Sequence, residues 1–176
     1  MRRLFVSTTI ELLRVRPFKE VTVRRVAAAA GEDPSVIRRQ FGSMNGLLIA
    51  VCDELVVRAE QRMELEASVE NIFNADIVLR IKLSVWLMAN GVEPSRFRVT
   101  STRPILDAMS RRQGEIGPLS ERTLTAYNEI IALAGVGMVL FGESRDISAE
   151  LLADMVTLGS ALRTALPSTE AALGWS

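Results

Sequence analysis

The chain has no histidine and a single cysteine, Cys52, among its 176 residues. Histidine and cysteine clusters are the usual carriers of general-base and transition-metal chemistry, and a Gly-x-Ser-x-Gly nucleophile elbow is also missing from the sequence. One cysteine cannot form an internal disulfide bond, and it is typical of a protein in a reducing compartment. We therefore expect no enzymatic activity, no metal and no cofactor.

Long apolar stretches are scarce as well. The longest, residues 130–142, has 13 residues, whereas a helix that crosses a membrane needs about 20. The first residues lack the basic-then-apolar leader with a small-residue cleavage site that directs secretion. We expect a cytoplasmic protein that does not insert into a membrane.

The most informative segment is residues 22–41, TVRRVAAAAGEDPSVIRRQF, which has the pattern of two short helices separated by a glycine. Apolar residues of its first half recur at helical spacing, and Gly31 can adopt the left-handed conformation that a tight turn requires. Asp33 followed by Pro34 is typical of a helix that begins with a capping side chain and a proline. This order predicts a helix-turn-helix, a unit that reads DNA.

Charge is distributed unevenly along a chain that is neutral in total. Residues 1–48 hold nine basic and four acidic side chains, a net charge of +5, so the remainder, with 12 basic and 17 acidic side chains, carries −5. A positive end attracts the phosphate backbone of nucleic acid. A solvated helix face is the alternative interpretation, but these arginines fall where a recognition helix would display them.

Residues 4–54 resemble the N-terminal domain of the TetR family of transcriptional regulators, in which three helices lead into a fourth. A break at Pro17, a capping Thr22 and a glycine after Phe41 stand in the order that is usual in this family. The matching residues are Ile10, Leu13, Phe18, Thr22, Val23, Arg24, Val26, Ala27, Ala30, Gly31, Pro34, Ile37, Arg39, Phe41, Gly42, Ser43, Leu47 and Leu48.

Four positions depart from the family pattern. Glu32 follows the turn glycine where an apolar residue is usual, and Met44 stands where a phosphate-contacting lysine is common. Arg38 and Gln40 replace the usual tyrosine and histidine near the end of the recognition helix. The alternative function is therefore a helical ligand-binding or protein-interaction module that no longer reads DNA.

The resemblance implies an all-α protein with a helix-turn-helix DNA-binding domain at residues 1–48 and a helical effector-binding and dimerisation domain at residues 49–176. It also implies a repressor that a small apolar molecule releases from double-stranded, palindromic operator DNA. Thr22 is expected to bind phosphate, and the second short helix to face the major groove. The expected DNA contacts are Thr22, Arg24, Arg25, Ser35, Val36, Arg38, Arg39 and Gln40.

Beyond residue 43 the apolar pattern is helical, without the alternation that is typical of strands. It predicts helices at residues 44–67, 75–90, 120–141 and 148–166, followed by a frayed tail at residues 168–176. Ligand pockets in helical domains are apolar with a few polar groups. On this ground the effector-binding candidates are Trp86, Met88, Phe97, Ile105 and Met109.

The last two predicted helices carry apolar side chains at steps of three and four, with small residues between them that allow close packing. In the resembled family this pair of helices forms a four-helix dimer interface, so we expect a homodimer. The alternative is that both helices only close the core of their own subunit. The expected interface residues are Leu124, Tyr127, Ile131, Ala134, Met138, Leu151, Met155, Leu158 and Leu162.

Overall fold

The computed structural model describes residues 1–65, 74–96 and 119–175, and over these ranges it contains helices and no strand. The all-α fold predicted from the apolar periodicity is therefore confirmed. The described residues divide into two compact units, residues 1–61 with 74–96, and residues 62–65 with 119–175. The α-helices are α1 (Arg2–Val15), α2 (Val23–Ala30), α3 (Pro34–Phe41), α4 (Met44–Leu65), α5 (Ala75–Ala89), α6 (Glu121–Phe141), α7 (Ala149–Thr164) and α8 (Leu166–Leu173).

The first unit packs around apolar side chains from all five of its helices. Full burial of one such side chain stabilises the fold by about 1.5–3 kcal/mol. The short helices α2 and α3 contribute fewer of these side chains, so they are held by packing onto their neighbours rather than by their own propensity. The largest fully buried apolar side chains are Phe5, Ile10, Val26, Ile37, Leu47, Leu48, Val51, Leu55, Leu83 and Leu87.

The boundary predicted between residues 48 and 49 does not coincide with a break in packing. α4 runs through it without interruption, and Leu55 on α4 and Leu83 on α5 share one core with Phe5 on α1. The division at this point therefore concerns function, meaning which residues bind DNA, and it stays a prediction in that sense.

Side-chain caps begin the longer helices. The Asn74 side chain accepts hydrogen bonds from the amides of Asp76 and Ile77, at 2.9 and 3.1 Å, and so begins α5. In the second unit, Ser120 Oγ accepts from the Thr123 amide and begins α6. Ser148 begins α7 in the same way. These bonds satisfy amides that the first turn of a helix leaves without an intrahelical partner.

The frayed tail predicted at residues 168–176 is wrong. α7 ends at Thr164, and Pro167 lies in the first turn of a further helix, α8, instead of ending the ordered chain. The carboxylate of Glu170, which is buried, accepts a hydrogen bond from the Ser120 amide at 2.9 Å. The Arg122 guanidinium lies 4.2 Å from the centroid of the Trp175 ring. Contacts with the start of α6 therefore order the last residues of the second unit.

One ion pair joins the first helix of the first unit to its last. Arg14 Nη2 lies 2.6 Å from Asp76 Oδ1, and the Asp76 side chain is only 1% exposed, compared with 35% for Arg14. The same arginine also meets Glu11 at 3.5 Å, where the carboxylate is 66% exposed. Arg14 therefore has one buried and one solvated acidic partner, and a buried carboxylate loses more than a solvated one when the ion pair is broken.

We predict that Asp76→Ala lowers the free energy of unfolding by about 2 kcal/mol, because a hydrogen bond between charged groups is lost at a partly buried position. Urea unfolding followed by circular dichroism measures the change. Glu11→Ala is the matched control, since it removes the exposed partner of Arg14, and it should cost less than about 0.5 kcal/mol. Equal losses in the two variants would show that burial of the pair contributes nothing.

Candidate nucleic-acid interface

α2 begins at Thr22. The Thr22 hydroxyl oxygen accepts a hydrogen bond from the Arg25 amide at 3.4 Å, while Val26 and Ala27 are fully buried and attach the helix to the core. The hydroxyl retains its own proton for a second hydrogen bond. The N-terminus of a helix also carries a partial positive charge. The position of Thr22 is thus compatible with the phosphate contact predicted for it.

The turn after α2 is a left-handed glycine turn. Gly31 has φ of 68° and ψ of 30°, a conformation that costs glycine little and other residues more. The amides of Gly31 and Glu32 donate to the carbonyls of Ala28 and Ala27, at 3.3 and 3.0 Å. These two bonds close the C-terminus of α2 and set the direction in which the chain leaves it.

Asp33, two residues after the turn glycine, caps the N-terminus of α3. The Asp33 carboxylate accepts a hydrogen bond from the Ser35 amide at 2.7 Å, and Pro34 occupies the first turn. Hydrogen bonds from the side chain and amide of Ser35 hold the pKa of Asp33 below its usual value. The cap is therefore a charged carboxylate at neutral pH, which stabilises the positive end of the α3 dipole.

α3 turns one face to the core and the opposite face to solvent. Ile37 is fully buried, whereas Ser35, Arg38 and Arg39 are exposed. Residues three and four apart lie on the same side of a helix, so these three residues form one surface, which we call the α3 outer face. A hydroxyl and two guanidinium groups are donors suited to base edges and phosphates.

The other predicted DNA contacts lie around this face and differ in their exposure and in the partners that they already have. Val36 and Gln40 are half-buried on α3, and Arg24 and Arg25 are exposed on α2. Arg25 Nη1 already donates to the backbone carbonyl of Glu20 and lies 3.2 Å from the Glu20 carboxylate. Arg25 must therefore share its guanidinium with Glu20 if it also binds phosphate.

Gly46 is a residue of this site that the sequence reasoning missed. Gly42, with φ of 75°, follows the last residue of α3, and Ser43 Oγ accepts from the Gly46 amide at 3.0 Å at the start of α4. A Cβ on Gly46 would overlap the carbonyl oxygen of Phe41, the last residue of α3. Glycine costs about 1 kcal/mol relative to alanine inside a helix. A glycine in the first turn of α4 was the available signal that two backbones meet there.

One departure from the family pattern, Met44, is accounted for by packing. Met44 is half-buried and packs against the core of the first unit, so it contributes apolar burial where a phosphate-contacting lysine is common. Glu32 is half-buried and supplies its amide to the glycine turn.

Cys52 lies on α4 in the core of the first unit and is fully buried. Its sulfur is 3.7 Å from the Ser84 hydroxyl oxygen. Burial raises the pKa of the Cys52 thiol to about 11. The thiol is therefore protonated at neutral pH, which makes it a poor nucleophile and a poor redox sensor.

Some of the expected dimer-interface residues join α6 to α7 within one subunit. The Tyr127 hydroxyl donates to the Gly159 carbonyl at 2.8 Å, and desolvation raises the pKa of Tyr127 above its usual value. Ile131 and Met138 are half-buried as well. The remaining members of the predicted interface are exposed: Leu124, Ala134, Leu151, Met155, Leu158 and Leu162.

Two of the five effector-binding candidates are described, Trp86 and Met88 on α5. The Trp86 ring is half-buried and meets Phe18 edge to face, with 6.0 Å between ring centroids, whereas Met88 is 40% exposed. Residues two apart do not share a helix face, so the structure does not bring this pair together. The candidates outside the described residues are Phe97, Ile105 and Met109.

The geometry is that of a helix-turn-helix DNA-binding domain. It consists of two short capped helices, a left-handed glycine turn between them and a basic outer face on the second helix. Residues 5–51 match the family described as bacterial regulatory proteins, tetR family. The match assigns the N-terminal domain to this family and supports a DNA-binding transcriptional regulator. Neither a curated protein nor a solved structure matches the chain significantly.

We predict that Arg38→Ala weakens binding to an operator duplex by about 1–3 kcal/mol and relaxes the base preference at one position, because a guanidinium on the α3 outer face can bind guanine at two atoms. Affinities for duplexes substituted base by base measure both effects. Arg96→Ala removes the same charge from an exposed position of the same unit and serves as the control. A base preference identical to that of the wild type would exclude Arg38 from base readout.

Proposed function

We propose that this regulator is a homodimeric, ligand-responsive repressor that binds a palindromic operator in the cytoplasm. The observation that carries its DNA-binding part is the α3 outer face, where Ser35, Arg38 and Arg39 are exposed directly after a capped glycine turn. Thr22 at the start of α2 adds a phosphate contact beside it. The repressor and effector roles rest on the family resemblance, and the dimer has further support from the second unit.

The exposed side chains of α7 support the dimer. Leu151, Met155, Leu158 and Leu162 follow one another at steps of four, three and four, and they are 47%, 37%, 60% and 54% exposed. We call this row the α7 stripe. Such spacing places all four side chains on one helix face, as in helices that pack against another helix. A second subunit would remove this apolar area from water. Two subunits would also place two recognition helices in successive major grooves.

α6 contributes exposed apolar side chains that the sequence reasoning did not include. Ile130 and Leu133 are 65% and 69% exposed and lie three residues apart on one face. The apolar periodicity of α6 does not distinguish side chains that are exposed from side chains that face α7, so it did not indicate these two residues. We include them in the proposed subunit interface together with the α7 stripe.

Among the described helices, α6 is long and apolar enough to cross a membrane by length and composition. Glu129 and Asn128 interrupt its apolar sequence in the middle, and the uninterrupted stretch after them, residues 130–142, has 13 residues. This is shorter than the roughly 20 apolar residues that span a bilayer. Burial by a second subunit is therefore the explanation of the apolar α6 surface that we adopt.

In the proposed mechanism, a small apolar effector binds the helical C-terminal part and changes the separation of the two reading heads. The effector must have a higher affinity for the DNA-free state than for the DNA-bound state, since equal affinity would shift nothing. The proposed effector contacts remain Trp86, Met88, Phe97, Ile105 and Met109 because of their apolar character, although Trp86 and Met88 lie on different faces of α5.

DNA binding is tested by its dependence on salt. We expect the protein to bind a duplex from the region upstream of its own gene, and the logarithm of its affinity to fall linearly with the logarithm of salt concentration, with a slope of about −0.9 for each phosphate neutralised. Fluorescence anisotropy with a scrambled duplex as control measures both quantities. A flat dependence on salt would favour the alternative, a helical ligand-binding or protein-interaction module that does not read DNA.

The dimer is tested with a charge on the α7 stripe. Leu158→Glu should leave the subunit folded, because Leu158 is 60% exposed, and yet cost several kcal/mol of dimer stability by burying an unpaired charge. Sedimentation velocity should show a dimeric wild type and a monomeric variant, and the variant should bind operator weakly because it loses the second half-site.

Leu173→Glu on α8 is the matched control for this test, since Leu173 is also exposed, at 53%, but lies off the α7 stripe. It should remain dimeric. A monomeric wild type at micromolar concentration would contradict the dimer, and a folded, dimeric Leu158→Glu variant would place the interface elsewhere.

A further inference from the structure

Arg2, in the first turn of α1, reaches the last turn of α3. Its Nη1 donates a hydrogen bond to the backbone carbonyl of Gln40 at 3.1 Å. Its guanidinium carbon also lies 4.5 Å from the centroid of the Phe41 ring. One side chain thus holds both a backbone group and a side chain at the C-terminus of the helix that carries the α3 outer face.

The Gln40 carbonyl is one of the four that end a helix without an intrahelical amide partner, and it lies at the negative end of the helix dipole. A guanidinium donating to it is a charge-assisted hydrogen bond at a place where a cation is favoured. The cation–π contact with Phe41 adds a second attachment on the same turn. Both interactions act on the direction of α3, since they fix its end to another helix.

A second residue of α1, Phe5, also contacts Phe41. The Phe41 ring meets the ring of Phe5 edge to face, with 6.3 Å between centroids, and Phe5 is fully buried. The backbone carbonyl of Phe41 also lies where a Cβ on Gly46 of α4 would stand. The end of α3 is therefore enclosed by α1 on one side and by the start of α4 on another.

Arg2 is also within electrostatic reach of α4. Burial raises the pKa of Asp53, and the positive charges of Arg80 and Arg2 oppose that rise. Arg2 thus interacts with groups on α3 and α4 from its position on α1. Arg2 remains exposed, so these contacts should add little to the stability of the whole fold.

We infer that Arg2 is a positioning residue for DNA binding, which fixes the C-terminal turn of α3 to α1 and so sets the direction of the α3 outer face. This role rests on the DNA-binding function assigned above. It differs from the role that composition suggests, because Arg2 belongs to the basic residues counted toward phosphate attraction at the N-terminal end. Arg3, which is exposed in the same turn with the same charge, offers a matched comparison.

The test compares Arg2→Ala, Arg2→Lys and Arg3→Ala in the full chain by two measurements. The first is amide hydrogen exchange of residues 38–42 in the DNA-free protein, relative to the amides of α2. The second is affinity, as a function of salt, for a duplex that the wild type selects from a random-sequence pool. Lysine keeps the charge of Arg2 but lacks the planar group that lies on a ring while it donates to a carbonyl.

Arg2→Ala should speed exchange at residues 38–42 and weaken binding about three- to tenfold, with the salt slope of the wild type, since one charge-assisted hydrogen bond and one cation–π contact are lost. Arg2→Lys should recover less than half of the lost affinity. Arg3→Ala should leave exchange at residues 38–42 unchanged. Thermal unfolding of each variant identifies any general loss of structure, and Arg2→Lys remains informative if Arg2→Ala does not fold.

A salt slope that falls by about 0.9 in Arg2→Ala, with exchange as in the wild type, would make Arg2 a phosphate contact and overturn the inference. Full recovery by lysine, or no change in either measurement, would also overturn it. If the wild type selects no duplex, the DNA-binding function fails, while the exchange rates still decide whether Arg2 fixes the end of α3.

Discussion

A recognition helix must be held in one orientation to bind DNA specifically, and α3 is too short to be stable alone. It has eight residues, and within it only Ile37 is fully buried, whereas isolated helices shorter than about 12–15 residues are marginal in water. Its geometry therefore depends on attachments at both ends. The glycine turn and the Asp33 cap fix its beginning, and the close approach to Gly46 fixes its end. α1 and α4 supply the core that makes these attachments stiff.

The two units bury different kinds of side chain, and this difference fits their proposed roles. The first unit has an apolar core to which every one of its helices contributes. Among the side chains that the structure describes in residues 119–175, the buried ones are those of Thr123 and Glu170, both polar, while several leucines of α6 and α7 are exposed. An apolar surface of that kind is costly in water. A subunit that gains a partner there also gains the second reading head that a palindromic site requires.

Features encoded by neighbouring residues were predictable, and features that join distant residues were not. Gly31, Asp33 and Thr22 act within a few positions, so their sequence signals predicted the turn and the starts of the two short helices. The bond between Glu170 and Ser120 spans 50 residues, and no local pattern indicates it. Without that bond Pro167 looks like the end of ordered structure, which is why α8 was missed. The contact between Arg2 and Gln40 spans 38 residues and was missed for the same reason.

The net charge of the N-terminal residues overstates the number of basic side chains that are free to bind DNA. Arg14 is paired with Asp76 and Glu11. Arg16 and Arg25 both lie within 4.0 Å of the Glu20 carboxylate, so a single acid engages two of the nine basic side chains counted in the sequence. Paired side chains still raise the long-range potential that steers DNA toward this end. Only those that replace condensed counterions add to the salt slope, so that slope measures the α3 outer face and its surroundings more directly than net charge does.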